Sequence, residues 1–383
     1  MRARFLLPML LALPLRPALA ASTLLVPQQF PTIQEAVAAA IDGDTILVKA
    51  GVYAEQVTLS GLTDVTLRGQ GKVIVDAGGA GAGLLLNLCS GCTIERIRVQ
   101  AADVGILLLT CGHVTLTKCR VEGSLSDGIR LDGCEGLVIR DCVVSAAGDD
   151  GIAVGAGTAN PTNTSLLLHN TISDAVHAGI AIDGSSNTVA GNVVSRSGFA
   201  DYAIVATTAG SGNIFRGNTS VDCGDDAFSI HGNACVVTDN RVVSSEGHGI
   251  ALLDGDGVLV SGNTVVKAGG AGIFCDSDVA GVVVSGNSVS KASDAGIALL
   301  CDGFLLVDNV SKGAGDDGYQ LVGNGGTVIG NRATGNTEAG FILVGNGHLL
   351  SGNVGKGNGT VDLEVQGSGN LVDATNVFKT TGP

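Results

Sequence analysis

Two aspartates and a histidine in the middle of the chain have the residue types and the spacing of an acid–base site. Asp225 and Asp226 are adjacent in "GDDAFSIHGN", and His248 follows the second of them by 22 residues in "EGHGIAL". Crowded carboxyl groups favour protonation of one of them, and a protonated carboxyl beside an ionised one is the pair that glycoside hydrolysis uses. We therefore expect Asp226 to act as the general acid or base, with Asp225 and Asp201 as its partners. His248 would tune the ionisation of these carboxyl groups.

The adjacent pair of aspartates recurs as Asp149 and Asp150 and again as Asp316 and Asp317. Two carboxylates about 5 Å apart repel each other by roughly 1 to 3.5 kcal/mol for effective dielectric constants between about 80 and 20. A cation such as Ca²⁺, which prefers oxygen ligands, relieves this repulsion, so these four residues are candidate calcium ligands. The alternative is that each aspartate only begins a turn, because its side chain accepts hydrogen bonds from nearby backbone N–H groups.

Lysines and a tyrosine could supply the remaining contacts to a bound ligand. Lys267, Lys291 and Lys312 recur at intervals of 24 and 21 residues, and they would hold the carboxylates of a uronic acid or supply the base for a β-elimination. The alternative is that these lysines only balance the surrounding acidic charge. Tyr202 is the aromatic candidate for direct contact with a bound sugar.

An asparagine recurs at intervals of 22 to 26 residues through the second half of the chain, which indicates a repeat architecture. Each repeat, such as residues 272–294, contains three short apolar runs separated by glycine, asparagine, serine and aspartate. Runs this short predict strands, since a helix needs about ten residues or more. The predicted fold class is all-β: a single-stranded, right-handed parallel β-helix solenoid with coils of about 22 residues, in which Phe228 and Phe274 point inward. The repeated asparagines, which we expect to hydrogen-bond along the axis, are Asn170, Asn192, Asn218, Asn240, Asn263, Asn287, Asn309, Asn331 and Asn353.

The two ends of the chain depart from the repeat. Residues 1–20 combine early arginines, an apolar run and an Ala-x-Ala ending, which is the pattern of a secretory signal peptide. Residues 21–83 are expected to hold an N-terminal cap and the first coils, because "TIQEAVAAAI" has a capping-box start and an amphipathic pattern typical of a helix. Parallel β-helix repeats then occupy residues 84–365, and residues 366–383 are expected to form a C-terminal cap or tail.

Composition limits the partners and the compartment. The formal net charge of −15 argues against the binding of nucleic acid or of an anionic membrane surface. No apolar run after the signal peptide reaches the ~18 residues of a membrane span, so we predict a secreted or periplasmic monomer without a transmembrane segment. The ten cysteines could pair after export. We expect a buried column of thiols instead, and Cys119–Cys142 is the first candidate if any disulfide forms.

The segment "PTIQEAVAAAIDGDTILVKAGVYAEQVTL", followed by "LTDVTLRGQGKVIVDAGG", resembles the entry of pectin-lyase-like right-handed β-helix proteins. The likeness covers residues 26–78 closely and residues 84–365 by period and pattern. The pair "GDDAF" and "GHG" also resembles the polygalacturonase motif. However, "FADYA" stands where that family has Asn-Thr-Asp-Gly, and its later Arg-Ile-Lys motif has no counterpart here.

This resemblance implies a carbohydrate-active protein whose partner is a polysaccharide. Together with the acidic residues it implies action on a uronate-containing polysaccharide in a carboxylate-lined groove, as a hydrolase, a lyase or an epimerase. The alternative is a non-catalytic solenoid that binds glycans or forms part of a cell surface, with Ca²⁺ at the paired aspartates, because one fold hosts many functions. The two differ in geometry, since catalysis needs carboxyl groups that converge in a cleft, whereas a scaffold turns them into its own backbone.

Overall fold

The computed structural model describes residues 20–155, 161–198, 202–207 and 210–382. Nearly all of the predicted signal peptide, and the predicted catalytic residue Asp201, lie outside the described residues. The described chain forms a right-handed parallel β-solenoid of about 15 turns, which confirms the predicted fold class.

One face of the solenoid is a sheet of fourteen short parallel strands, one from each successive coil, which we call the groove sheet. Neighbouring strands pair one coil apart, so that Phe228 pairs with Ile250 and Ile250 with Ile273. The strands of the groove sheet are Val57–Ser60, Ala82–Asn87, Val104–Leu109, Ile129–Asp132, Ile152–Val154, Ile180–Ile182, Ile204–Ala206, Phe228–Ile230, Ile250–Leu252, Ile273–Cys275, Ile297–Leu299, Tyr319–Val322, Phe341–Val344 and Leu363–Gln366.

The remaining 27 strands form one continuous sheet, which we call the large sheet. The first coils contribute long strands, and each later coil contributes two short strands separated by a tight turn. In chain order these strands are Thr23–Val26, Thr45–Tyr53, Thr66–Asp76, Thr93–Gln100, Thr115–Thr117, Arg120–Glu122, Val138–Arg140, Val143–Ser145, Leu166–Leu168, Thr171–Ser173, Thr188–Ala190, Val193–Ser195, Ile214–Arg216, Thr219–Cys223, Val236–Thr238, Arg241–Ser245, Leu259–Ser261, Thr264–Ala268, Val283–Ser285, Ser288–Ser290, Leu305–Val307, Val310–Lys312, Thr327–Ile329, Arg332–Thr334, Leu349–Ser351, Val354–Lys356 and Leu371–Val372.

Aliphatic side chains from equivalent positions of successive coils stack inside the solenoid, because side chains alternate sides along a strand. In the strand Ile250–Leu252 the first and last residues lie in the core, and Ala251 between them faces outward. Phe228 is fully buried in this core, as predicted. Phe274 pairs with Ala251 and therefore also faces outward, so the prediction of an inward Phe274 is wrong by one position in the strand.

The repeated asparagines form a hydrogen-bonded ladder along the axis, as predicted. Asn240 donates from Nδ2 to Asn263 Oδ1 at 3.0 Å and to the carbonyl oxygen of Phe215 at 2.9 Å. The same Oδ1 of Asn263 accepts the backbone N–H of Asn240 at 2.8 Å. Each side chain thus satisfies buried backbone groups at a tight turn, where an unpaired group would be costly. At its upstream end, Asn170 Oδ1 accepts the backbone N–H of Cys142 at 3.0 Å.

All ten cysteines are buried with free thiols, which fits the buried column rather than a set of bridges. The backbone N–H of Cys111 donates to Cys134 Sγ at 3.3 Å, so these residues are stacked as expected. The predicted disulfide partners Cys119 and Cys142 are present as a pair of hydrogen-bonded thiols. Small apolar thiols therefore fill the core of these coils much as alanine or valine would.

A helix, Ile33–Ala39, lies near the N-terminus at the predicted place. Its N-cap Thr32 accepts a hydrogen bond at Oγ1 from the backbone N–H of Glu35 at 3.1 Å, which satisfies one of the free donors at the helix start. Its buried face contacts the first strands, and its role as a cap stays a prediction. Within the described ranges no helix is long and apolar enough to cross a membrane.

At the other end, residues 373–382 fold back on the last coils. The backbone N–H of Gly355 donates to the carbonyl oxygen of Val377 at 3.0 Å. Phe378 packs edge-on against Phe341, with ring centres 5.5 Å apart. The segment thereby covers backbone and side chains that the final coil would otherwise leave exposed.

Candidate active site

The outer face of the groove sheet forms a shallow groove along its central coils. The middle residue of each strand points outward there, yet Ser229 and Ala251 are completely buried. These side chains are small, and the turns on either side stand above them, so the floor of the groove is recessed. Asp149, which precedes one strand, and Thr207, which follows another, line the same cleft. The outward-facing residues of the floor are Ala153, Ala181, Val205, Ser229, Ala251 and Ala298.

The turn before each strand of the groove sheet carries the acidic residues, which form one wall of the groove. Four aspartates at equivalent positions share one geometry, in which the side-chain Oδ1 accepts a hydrogen bond from a backbone N–H one coil further on. This is the turn-forming role that an aspartate can play before a strand. The bonds run from Asp150 N to Asp127 at 3.2 Å, from Ala178 N to Asp150 at 2.9 Å, from His248 N to Asp226 at 2.5 Å and from Ala339 N to Asp317 at 2.8 Å.

Burial raises the pKa of all four of these aspartates above the ordinary value. The pKa rises to about 6 for Asp127, to about 7 for Asp150 and to about 6 for Asp317. The pKa of Asp226 is also raised by burial. At Asp150 the negative charges of Asp127 and Asp149 add to the effect of burial. A carboxyl group with a pKa near neutrality can both donate and accept a proton, which is what general acid–base catalysis requires.

Three aspartates and a histidine converge at one place on this wall, and we call Asp127, Asp149, Asp150 and His177 the upstream cluster. One carboxylate oxygen from each of the three aspartates lies within 4.8 Å of the others. His177 Nδ1 is 2.6 Å from Asp149 Oδ1. A cleft of about 260 Å³ is lined by Asp149, Asp150, His177 and Tyr202. The structure thus brings Tyr202, predicted as a sugar contact, to the same cleft as one of the predicted calcium pairs.

The predicted acid–base residues Asp225, Asp226 and His248 do lie together, but the histidine ring is not turned toward the carboxyl groups. Asp226 is bonded to the backbone N–H of His248. The ring of His248 stacks on Phe274, with centres 4.5 Å apart and planes 6° apart. Its Nδ1 accepts the backbone N–H of Ala271 at 2.9 Å. Because Phe274 faces outward, its ring can stack on the imidazole of His248. This stacking and the hydrogen bond from Ala271 fix the orientation of the imidazole.

A second acidic group lies downstream. One oxygen each from Asp316, Asp317 and Glu338 falls within 4.8 Å of the others, so the predicted calcium pair gains a third carboxylate from the following coil. Asp316 and His248 also line one cleft of about 170 Å³. The predicted calcium ligands are thus in place as oxygen clusters, and the binding of Ca²⁺ stays a prediction.

The three lysines predicted to bind substrate do not reach these clefts. Lys267, Lys291 and Lys312 are exposed at the end of large-sheet strands, and the backbone N–H of Lys291 donates to the carbonyl oxygen of Lys312 at 3.1 Å. None of them is among the described residues that line the two clefts on the groove sheet. Lys267 and Lys291 take left-handed φ angles of 61° and 59°, which turn their side chains outward at a bend.

His177 and Asp127 belong to the site although they were not among the predicted site residues. His177 stands two residues before the strand glycine, the position that Asp149 also occupies, so the alignment of the coils contains the signal. A further pair lies on the floor of the groove, where Ser229 Oγ is 3.2 Å from His231 Nε2. This pair can be recognised only in the structure, because the sequence does not show which face of the strand points outward.

Sequence comparison identifies the repeat directly. A family model described as "Right handed beta helix region" matches residues 50–219, 104–265 and 221–354. These overlapping matches together cover most of the coils. Curated protein sequences give no match to this chain.

Solved structures of similar fold come from proteins with different activities. An alginate lyase from Paenibacillus sp. strain FPU-7 superposes with a TM-score of 0.54 at 19% identity, over 67% of this chain and 99% of that chain. A tailspike protein variant of E. coli bacteriophage HK620, in complex with a hexasaccharide, superposes with a TM-score of 0.59 at 12% identity, over 90% of this chain and 76% of that one. Identities this low show that the fold is shared, and they carry no information about whether the activity is shared.

Proposed function

We propose that this chain, which belongs to the right-handed β-helix family, is an exported monomer that binds a uronate-containing polysaccharide in the groove and acts on it with the upstream cluster. The observation that carries the proposal is the convergence of Asp149, Asp150, His177 and Tyr202 in one cleft. An alginate lyase and a hexasaccharide-bound tailspike among the structures of similar fold support it.

The chemistry of the upstream cluster is proton transfer. Burial raises the pKa of Asp150 to about 7, so near neutral pH it can protonate a glycosidic oxygen or remove a proton from a sugar carbon. Asp149 accepts a hydrogen bond from His177 Nδ1, which orients the imidazole and leaves Nε2 for the ligand. The phenol of Tyr202 can donate or accept a hydrogen bond at the same cleft. Hydrolysis, β-elimination and C5 epimerisation all begin with such a transfer.

A uronate carboxylate that enters this cleft meets a wall of the same charge. Protonation of Asp150 removes part of the repulsion, and a cation bound by the oxygens of Asp127, Asp149 and Asp150 would remove more of it. Ca²⁺ suits such a site because it takes several oxygen ligands. We therefore expect Ca²⁺ to strengthen the binding of uronate polymers. Because a cation bound by Asp150 also displaces its proton, we expect the proton transfer itself to be fastest without Ca²⁺.

A non-catalytic, glycan-binding solenoid is the second candidate function. It is favoured by a geometry that four aspartates share, in which one carboxyl oxygen accepts a hydrogen bond from a backbone N–H. These aspartates are Asp127, Asp150, Asp226 and Asp317. Four equivalent residues with one structural bond are what a repeating scaffold needs. The upstream cluster, which contains two of these four aspartates, differs from the positions of Asp226 and Asp317 because, among the described residues, only there does an imidazole contact the neighbouring carboxylate.

Product analysis by NMR distinguishes these functions. The purified protein is incubated with polygalacturonate, alginate and neutral plant glycans, with and without Ca²⁺, and new reducing ends, unsaturated ends or inverted C5 centres are measured. We expect products from a uronate polymer, and we expect Asp150→Asn to lower their rate by at least about a hundredfold, since loss of a general acid or base costs about 10² to 10⁴.

Asp226→Asn is the matched control, because asparagine keeps the Oδ1 acceptor at both positions and changes only the ionisable group. It is expected to retain the wild-type rate. If Asp226→Asn abolishes the reaction while Asp150→Asn does not, the catalytic site is the one predicted from the sequence. If no polymer changes with any protein and circular dichroism shows a folded chain, the non-catalytic function replaces the proposal.

A further inference from the structure

A basic cleft lies on the large sheet, at a different bend of the coil from the acidic wall of the groove. It has a volume of about 360 Å³, and it occurs in a protein whose formal net charge is −15. The stacking of the first coils brings together cations that are spread over almost fifty positions of the sequence. The residues that line it are Gly71, Lys72, Val73, Arg96, Ile97, Arg98, Lys118 and Arg120.

The cations of the basic cleft form two short columns parallel to the solenoid axis. Arg98 pairs with Arg120 across neighbouring strands. Arg96 and Lys118 both take left-handed φ angles, 56° and 54°, at the same bend one coil apart. Lys72 precedes Val73, which pairs with Ile97, and so continues this second column. Neighbouring coils are about 4.8 Å apart, so these positive charges repel one another unless an anion lies between them.

The acidic residues near the basic cleft do not balance its charge. Glu95 contacts Arg68 at 2.6 Å and Arg96 at 3.3 Å, and Glu122 contacts both Arg98 and Arg120. Two carboxylates therefore face the five cations that line the cleft and also Arg68. Among the described contacts neither Lys72 nor Lys118 forms an ion pair. In the next coil the position of Lys118 is taken by Asp141, which contacts Arg140 at 3.7 Å.

Arg98 provides a second, independent sign of a missing partner. Its Nε is buried and makes no hydrogen bond to any described residue, although its NH2 contacts Glu122. A buried guanidinium donor without an acceptor is costly. The Arg98 side chain as a whole is 26% exposed, so an anion in the cleft would meet the accessible edge of the guanidinium, a group that binds carboxylates with parallel hydrogen bonds.

We infer that the basic cleft binds the carboxylates of an acidic polysaccharide chain that runs along the solenoid axis. A linear polymer with one charge on each sugar matches a column with one cation on each coil. An anionic membrane is a broad surface that would also meet the rest of this protein, whose formal net charge of −15 repels it. Single-stranded nucleic acid is usually held by stacking on aromatic side chains as well as by cations, and no aromatic residue lines this cleft among the described residues. The inference takes the identity of the ligand from the proposed function, but the site is separate from the groove.

Binding measurements with matched variants test this inference. Isothermal titration calorimetry is run with oligogalacturonates of increasing length, with neutral dextran and with inorganic phosphate, at low and high salt. Lys72→Gln/Lys118→Gln removes two cations that have no ion pair. We expect it to weaken the binding of long oligogalacturonates about tenfold, and we expect wild-type binding to weaken with salt. Arg332→Gln/Lys356→Gln, at two exposed cations far along the chain, removes the same charge and is expected to bind as the wild type does.

Each outcome decides the inference separately from the proposed function. Equal loss in both double variants, or no loss in the first, would overturn it, as would wild-type binding of phosphate as tight as that of the longest oligomer. If the binding pattern holds while no protein forms any product, the proposed catalysis fails and the basic cleft stands as a glycan-binding site.

Discussion

At the scale of single residues, Asp127 and Asp150 hold protons that aspartates of an unfolded chain would release. Burial raises their pKa values to about 6 and about 7, so between about pH 4 and pH 7 the folded state binds more protons than the unfolded state. The free energy of unfolding must then fall as the pH rises through this window. We expect urea denaturation at pH 4.5, 6 and 7.5 to show this decrease in the wild type and a smaller decrease in Asp150→Asn, which has no proton to lose.

The exposed surface aspartate Asp222 supplies the control for this pH dependence. Asp222→Asn removes an acidic group that is neither buried nor part of the upstream cluster, and it should leave the slope of stability against pH unchanged. An unchanged slope in Asp150→Asn would show that Asp150 releases its proton at an ordinary pH. The proton-transfer role of the upstream cluster would then lose its basis.

Residues whose role follows from periodicity were predictable, and residues whose role depends on side-chain direction were not. The asparagine ladder follows from spacing alone, because stacked amides at one turn have few other partners. Phe274 was predicted to point inward because a large aromatic residue usually belongs to a core. No sequence rule shows that its ring stacks on His248 at the outer face of the sheet. The contact of Asp149 with His177 likewise depends on how two exposed side chains turn.

At the scale of the elements, the glycine that precedes most strands of the groove sheet, such as Gly249, packs closely against the neighbouring coils. A Cβ on Gly249 would lie 2.4 Å from Val265 Cγ1 and 2.5 Å from the carbonyl oxygen of Gly272. Both atoms belong to well-packed elements, so the added carbon forces a shift of backbone or core. We expect Gly249→Ala to lower the free energy of unfolding by about 1 to 3 kcal/mol, measured by urea denaturation.

Gly112→Ala is the matched substitution at an open position. The nearest atom to its added Cβ would be Ser90 Oγ at 3.9 Å, so its stability should stay within about 0.5 kcal/mol of the wild type. Equal stability of the two variants would mean that the coils can separate to admit a methyl group. The sequence marks these glycines as turn residues, and only the stacked coils show that their neighbours leave no room.

Strand existence was predictable from three short apolar runs in each coil, but strand length in the first coils was not. There the strand Thr66–Asp76 continues through the bend that later coils break with a turn. The bend holds Gly71 and Lys72, and it brings Lys72 beside Arg96. The basic cleft therefore depends on how one irregular strand pairs with its neighbour, which periodicity does not describe.

At the scale of the whole molecule, net charge conceals the separation of charge between two faces. The value of −15 predicts repulsion of polyanions, yet the acidic wall of the groove and the basic cleft lie on different bends of the coil. A solenoid permits this because every turn position becomes a line along the axis. A single chain can then offer one line of carboxyl groups for proton transfer and another line of cations for binding.

The ends of a solenoid decide whether its open strands pair with other chains, because each coil is stabilised mainly by its neighbours. Phe378 supplies an aromatic contact between the C-terminal segment and the last coils, through its edge-on packing against Phe341, beside the backbone hydrogen bonds of the same segment. Phe378→Ala should lower stability by about 1 to 3 kcal/mol, less than a fully buried phenylalanine would. Amide hydrogen exchange should rise first in the strand Leu363–Gln366, while the central coils keep their protection.

Val377→Ala tests whether side-chain packing is the cause. Val377 is 56% exposed and contributes mainly its backbone to the pairing with Gly355, so its truncation should leave exchange unchanged. If Phe378→Ala instead raised exchange evenly along all coils, the solenoid would unfold as one cooperative unit. Local fraying with an intact centre is the result that nearest-neighbour stabilisation requires, and it would locate the sensitive edge of the molecule at its C-terminal end, many coils away from both the groove and the basic cleft.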